Sequence, residues 1–363
     1  NYYVEKYSLN KKSDLYAYFL IRTLNLLSKE GVASVISSDK WLETDYGISL
    51  QKKLKDHLIG LYSQKWKSFG ADVHTVISVF AKRIIRSPLN FTHLECYSKS
   101  NVIRHHSINK KHLNPGKWFY LRAPEIFIEQ ILPRLTLRLG DFSEIKYGIK
   151  TGANDFFYMK DISHLYETDY LLNQKKFEDW GCVNIETRAD LEKQCLVYIE
   201  NEGGERFVID KRDVVPIIRS PREFGGYLIP SPVTLCLYTE KPGKHTLRYI
   251  EHGKTLGIPK RASLKNHKPW YKLTDLEPGR ILLPKALIDR LYFGLSEKPI
   301  ICDNRLYVLN CRKTDIVWLY LNSTIFLTTI QLYSRKGSSS KRGAVMDVMV
   351  KDYNNVPVPD LDS

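Results

Sequence analysis

The chain has 363 residues, enough for two domains and a sizeable core, with 43% hydrophobic and 26% charged residues, the proportions of a globular protein. A net charge of +15 and a pI near 9.3 point to a polyanionic partner, nucleic acid before an acidic membrane surface, because no amphipathic helix carries a single basic face. The six cysteines are scattered without a C-x-x-C pair, which argues against a zinc module and a disulfide framework; with no signal peptide and no bilayer-length apolar run, a cytoplasmic protein with no membrane partner and no metal is expected.

The first element is a helix over Asp14–Leu27, with Ser13 or Asp14 as cap, Leu15, Phe19, Leu20, Leu24 and Leu27 at helical spacing, and Gly31 closing it. Val32–Ser37 follows as a short apolar run typical of a buried parallel strand. After the polar Asp39-Lys40-Trp41-Leu42, Ile48–Leu61 reads as a second helix and Val73–Lys82 as a second strand. This helix–strand alternation is half of a doubly wound α/β sheet.

The stretches SDLYAYFLIRTLNLLSKEGVASVISSDKWL, YGISLQKKL and FGADVHTVISVFAK, spanning about the first 85 residues, resemble the later part of the catalytic domain of γ-type (TaqI-like) DNA adenine-N6 methyltransferases. In that family a Leu-Tyr-x-x-Phe pattern, matched by Leu15, Tyr16 and Phe19, lies on the helix after an Asn-Pro-Pro-Tyr loop. The resemblance implies that Tyr16 and Phe19 lie near the adenine of the cofactor S-adenosylmethionine, although both sit on an apolar helix face that suits core packing. It also implies that Phe69 stacks on an extruded adenine, with Trp66 a rival for that role and loop packing the plainer alternative. The glycine-rich cofactor motif and the Asn-Pro-Pro-Tyr loop are not in the sequence. The chain does not open with Met, so it is read as a fragment that begins after that loop, lacks most of the cofactor site and is inactive alone.

Lys82–Arg122 holds nine Lys and Arg against the single acid Glu95 and reads as a basic linker lying on a phosphate path, or as a solvated loop. His105-His106 are rejected as a metal site, since adjacent histidines do not converge on one ion. Glu125–Leu135 is a short helix interrupted at Pro133. Lys146–Met159, KYGIKTGANDFFYM, reads as a strand, a tight turn and an aromatic strand. Lys150, Thr151 and Asn154 stand on the tip of this hairpin-like wedge, with donors suited to phosphates or base edges; an ordinary solvent-facing turn is the bland alternative. The helix followed by Gly148, Ile149, Thr151, Gly152 and Asn154 is similar to the signature opening the family's specificity domain.

Further on, Arg219 and Arg222 follow a strand in VVPIIRSPREFGG and can reach phosphates or a guanine edge. Lys241–Lys272 is the most basic window, with Glu251 its one acid; it supplies Lys260, Arg261, Lys265 and Lys268, and ends in Trp270, which either stacks on bases or folds into the core. Asp315–Leu332 is one long apolar helix, and Ser334–Gly343 is a flexible loop carrying Arg335, Lys336, Lys341 and Arg342.

The expected fold is therefore α/β, the C-terminal part of a Rossmann-like methyltransferase sheet (residues 1–86), a basic linker (87–115) and a larger mixed α+β target-recognition domain (116–363). The resemblance implies the C-terminal part of a site-specific, S-adenosylmethionine-dependent DNA adenine-N6 methyltransferase of a restriction–modification or related defence system. Its expected partners are double-stranded DNA and a nuclease domain or subunit outside this chain. Two alternatives stay open: a non-catalytic DNA-binding specificity module serving a separate methylase or nuclease, and an RNA-binding or RNA-modifying protein.

Overall fold

The computed structural model describes residues 2–361 apart from 65–72, 98–99, 112, 114–115, 117, 274–276, 288–291, 334 and 341–342. The chain divides into two compact units, Asn1–Asp141 with Ser323–Ser363, and Phe142–Asn322.

In the first unit α1 (Tyr2–Tyr7) precedes α2 (Leu15–Leu26), whose cap is Asp14, its carboxylate accepting from the Leu15 N–H at 2.7 Å. Ala17, Leu20, Ile21 and Leu24 are the buried stripe, which leaves Leu15 and Phe19 on the exposed side. After α2 come β1 (Val32–Ser38), α3 (Gly47–Leu54), β2 (Leu58–Gln64), β3 (Thr75–Ala81), β4 (Leu89–Tyr97) and β5 (Ser100–Ile108). The five strands form one sheet in the order β1-β3-β2-β4-β5, antiparallel except for the parallel β2/β4 pair. Its core joins α2 and α3 to Leu61, Val76, Phe80 and Phe91, with Trp41 and Trp118 packed edge to face at 5.9 Å.

Three expectations change here. The helix expected over Ile48–Leu61 stops at Leu54 and β2 takes the remainder, because Gly60 disfavours a helix interior while an extended chain pairs on both sides, with β3 and β4. The expected buried parallel strand at Val32–Ser37 lies at the sheet edge, pairs antiparallel with β3 and leaves Val32 and Ile36 exposed. The expected basic linker is largely the β4–β5 hairpin, which buries two histidines beside Leu89 and Phe91: His93 bonds the Ser63 hydroxyl at 2.7 Å, and His106 stacks on Phe91 and bonds the Ala123 carbonyl. Lys110, expected on the phosphate path, is buried, its ammonium donating to the carbonyls of Leu58 at 2.5 Å and Ile85 at 2.7 Å; burial pulls its pKa down. This unit also contains β6 (Leu137–Arg138), paired with Pro357–Val358, and the helix Thr324–Tyr333.

The second unit is built on a ten-stranded sheet. Its strands are β7 (Ser143–Tyr147), β8 (Tyr158–Asp161), β9 (Leu196–Asn201), β10 (Arg206–Asp210), β11 (Val214–Ile218), β12 (Leu228–Ile229), β13 (Thr234–Leu237), β14 (Gly279–Pro284), β16 (Gly294–Cys302) and β17 (Leu306–Cys311); the short β15 (Ala286–Leu287), between β14 and β16 in the chain, is not part of this sheet. The order is β10-β9-β8-β13-β11-β16-β14-β17-β7, with β12 beside β16. The short helix α4 (Asn154–Phe157) opens β8, helices α5 (Tyr166–Leu172), α6 (Gln174–Asp179) and α7 (Arg188–Lys193) precede β9, and α8 (Lys244–Thr255) packs on β10. The helix expected over Asp315–Leu332 breaks at Asn322-Ser323, where the Asn322 side chain bonds the backbone of Phe293 and the Ser323 hydroxyl takes the Phe326 N–H.

Candidate nucleic-acid interface

The wedge at Lys146–Met159 is not a hairpin. β7 pairs with β17, whereas β8 pairs with β13 and β9, so residues 148–153 cross between distant strands of the sheet. The crossing is tight. The Ile149 N–H donates to the Cys302 carbonyl at 2.7 Å and the Asn304 N–H returns to the Ile149 carbonyl at 2.8 Å. A Cβ at Gly148 would run into the Asp303 carbonyl, so only glycine allows this approach, and Gly152 takes a left-handed φ of +72°.

Lys150 projects into solvent, but Thr151 is 1% exposed. Its hydroxyl donates to the Asn154 Oδ1 and takes the Ala153 N–H at 3.3 Å, which satisfies the turn's own backbone; the donor expected on the tip is turned inward, and Asn154 is half-buried. A second loop, residues 257–268, lies against this one. Arg261 grips Asp155 through both Nη atoms at 2.5 and 2.6 Å, and the Ser263 hydroxyl donates to the Gly152 carbonyl at 3.1 Å. The guanidinium holds the Asp155 carboxyl below its usual range. Arg261, expected on DNA, is thus a clasp between loops, since its fork is occupied by a carboxylate.

A third loop joins through its backbone: the Gly203 N–H donates to the Asp155 carbonyl at 3.1 Å, and the Glu202 N–H to the Tyr158 carbonyl at 3.0 Å. Glu202 holds the Nη1 of Arg219, whose guanidinium lies 4.6 Å over the Tyr158 ring. The Tyr158 hydroxyl donates at 2.6 Å to Asp303, which is buried, and burial followed by that carboxylate pushes the phenol pKa up. Arg222, in the next turn, is exposed. Trp270 is 9% exposed and packs against Phe156 at 5.2 Å; of its two expected roles the structure shows the core one, because the aromatic wall of α4 and Tyr249 gives the indole a dry site. Among the described residues, Lys150, Lys260, Lys265 and Lys268 are exposed and carry no ion pair, whereas Lys146 and Lys272 are bridged to glutamates. Sequence reasoning missed Asp155, Glu202 and Asp303, acids whose roles show only once Arg261, Arg219 and the Tyr158 hydroxyl are found beside them.

The remaining expected site residues lie in the first unit. Tyr16 is half-buried, its hydroxyl 2.7 Å from that of Tyr46, while Phe19 is 61% exposed, against the core role its helix face suggested. Phe69 and Trp66 lie outside the described residues, as do Lys341 and Arg342. The backbones of Arg335 and Lys336 form a strand, Arg335–Ser340, paired with Gly343–Asp347 where a flexible loop was expected.

Residues 1–65 match the Eco57I restriction-modification methylase family. That methylase match covers α1, α2, β1, α3 and β2, the segment carrying Tyr16 and Phe19. The chain is 23% identical over 296 residues to the type II methyltransferase M.AccI of Acinetobacter calcoaceticus, covering 76% of this chain and 48% of that protein. It thus spans about half the length of this curated relative. Solved structures that it resembles include the type IIG restriction endonuclease BpuSI (13% identity, TM-score 0.38, covering 98% of this chain and 43% of that one). Another is the type IIL restriction-modification enzyme MmeI in complex with DNA (13% identity, TM-score 0.48, 95% and 41%). Among the described residues no single helix is long and apolar enough to cross a membrane.

Proposed function

We propose that this chain is the C-terminal part of a site-specific DNA adenine-N6 methyltransferase, in which residues 1–141 complete the catalytic domain and residues 142–322 grip duplex DNA and read its sequence. The observation that carries this reading is the pairing, in one chain, of a methylase-matching segment with a cationic loop cluster. Exposed Lys150, Lys260, Lys265 and Lys268 stand on loops that are already tied together, so the backbones carrying these charges meet a polyanion with little further ordering. Phosphate contacts by these lysines fix the protein's register on the duplex without selecting a sequence.

S-adenosylmethionine supplies the methyl group in this reading. Phe19 suits a stacking contact with its adenine because the ring is open on α2; Tyr16 suits it less, since its hydroxyl is engaged by Tyr46. Phe69 would receive the target adenine after it leaves the stack. A nuclease domain or subunit acts from outside this chain.

Two measurements test the proposal. The chain should bind duplex DNA more tightly than structured RNA over a salt series, with a steep negative dependence of log affinity on log salt. The intact enzyme, supplied with S-adenosylmethionine, should leave N6-methyladenine in duplex DNA, detected by digestion and mass spectrometry. Preference for RNA would overturn the DNA reading, and methylation of cytosine alone would overturn the adenine assignment. A parent protein that binds DNA but methylates only with a separate subunit would favour the non-catalytic specificity module.

A further inference from the structure

Arg219 differs from the lysines around it. It leaves the end of β11 with its guanidinium laid on the Tyr158 ring at 4.6 Å, its backbone N–H on Glu223 at 3.1 Å and its Nη1 on Glu202. Tyr158 cannot rotate away, because its hydroxyl is held by buried Asp303 at 2.6 Å, and the Glu202 backbone is held by the Tyr158 carbonyl at 3.0 Å. Both ends of the Arg219–Glu202 pair are therefore anchored to one residue. The pair remains partly open to solvent, at 22% and 35% side-chain exposure, and among the described residues the buried Nε of Arg219 has no hydrogen-bond partner.

A planar donor and a carboxylate acceptor fixed side by side have a counterpart in nucleic acid. In the major groove a G·C pair offers the acceptors O6 and N7 of guanine beside the donor N4 amine of cytosine, whereas an A·T pair offers adenine N7 and a donor, then thymine O4. Phosphate, with acceptors only, has no use for Glu202, and its charge opposes that carboxylate. Resting on the reading of this unit as a duplex-DNA grip, we propose that Arg219 and Glu202 together read one G·C base pair, with Tyr158 as the positioning residue beneath the guanidinium.

The test is selection from a randomised duplex library by the chain as it stands. The wild type should enrich a motif with an invariant G·C pair. Arg219→Lys and Glu202→Gln should each lose the preference at that one position, about five- to hundredfold, while keeping the others. Thermal melting checks that both variants fold. If either does not, methylation interference with the wild type decides: N7-methylation of the invariant guanine should block binding. The proposal is overturned if Arg219→Ala weakens all sequences equally and flattens the salt slope by about one contact. It is equally overturned if no guanine shows interference, or if the wild type binds duplexes without enriching any motif. Absence of duplex binding would instead refute the underlying DNA reading.

Discussion

Replacing Lys150, Lys260 and Lys265 together with alanine tests the interface most directly. All three are exposed, none is in an ion pair, and they sit on the two loops clasped by Arg261–Asp155 and Ser263–Gly152. Each phosphate contact contributes about 0.9 to the slope of log affinity against log salt, so removing three should flatten the slope by about 2.7. Between ~50 and ~200 mM salt the affinity gap between wild type and variant should then narrow roughly 40-fold. Fluorescence anisotropy of a labelled duplex across that range reads the slope. Stability should change by no more than about 0.5 kcal/mol, since exposed lysines without partners hold nothing together. Lys146→Ala is the control, because that ammonium is bridged to Glu277 at 2.8 Å and Glu144 at 3.0 Å and should change the slope far less. An unchanged slope in the triple variant, or an equal change in the control, refutes the placement of the DNA.

Three further outcomes follow from the geometry. Lys110→Met should destabilise the first unit by roughly 2 kcal/mol in chemical denaturation, because the carbonyls of Leu58 and Ile85 lose their donor inside the fold; no loss would mean water replaces it. Trp270→Ala should cost about 3–5 kcal/mol, while Trp270→Phe should leave duplex affinity unchanged, and a drop in affinity at constant stability would restore a base-stacking role. Asp155 is held below its ordinary value of 3.8 chiefly by Arg261, so its contribution to stability is full above that value and disappears as pH falls through the lower folded one. NMR titration should show the Asp155 midpoint rising toward 3.8 in Arg261→Gln, and equal midpoints in the two proteins would mean the clasp is absent in solution.

The parts legible in the sequence were those set by local pattern: α2 with its Asp14 cap, the apolar β1 and β3, and the two glycines of the crossing loop. β2 and the β4–β5 hairpin were not, because their inward positions hold Gly60, His93 and His106, which count as polar or breaking residues until a partner strand and hydrogen bonds surround them. The crossing loop passed for a hairpin because β7 and β8 each choose a partner far along the chain, and nothing local declares which. The same limit hid the clasp, whose Arg261 and Asp155 lie 106 residues apart. Exposed Lys150, Lys260 and Lys265 were legible as charge. Their separation from Arg261, Lys272 and Lys110 was not, since pairing and burial are properties of the fold.

That separation changes what a basic composition means. A solvated lysine carries about 2 kcal/mol of rotamer entropy and meets any phosphate within reach, so it supplies affinity that is indifferent to sequence and falls with salt. A guanidinium stacked on a ring and held by a carboxylate has lost that freedom on folding and can oppose a base edge at little further cost. Because the carboxylate cancels the cation, such a pair displaces almost no counterions when it meets a base pair. Raising salt should therefore weaken binding to every duplex while leaving the ratio between G·C and A·T at the Arg219 position nearly constant. A ratio that decayed in step with total affinity would show that Arg219 acts as one more phosphate-binding charge, and that the acid beside it plays no part in recognition.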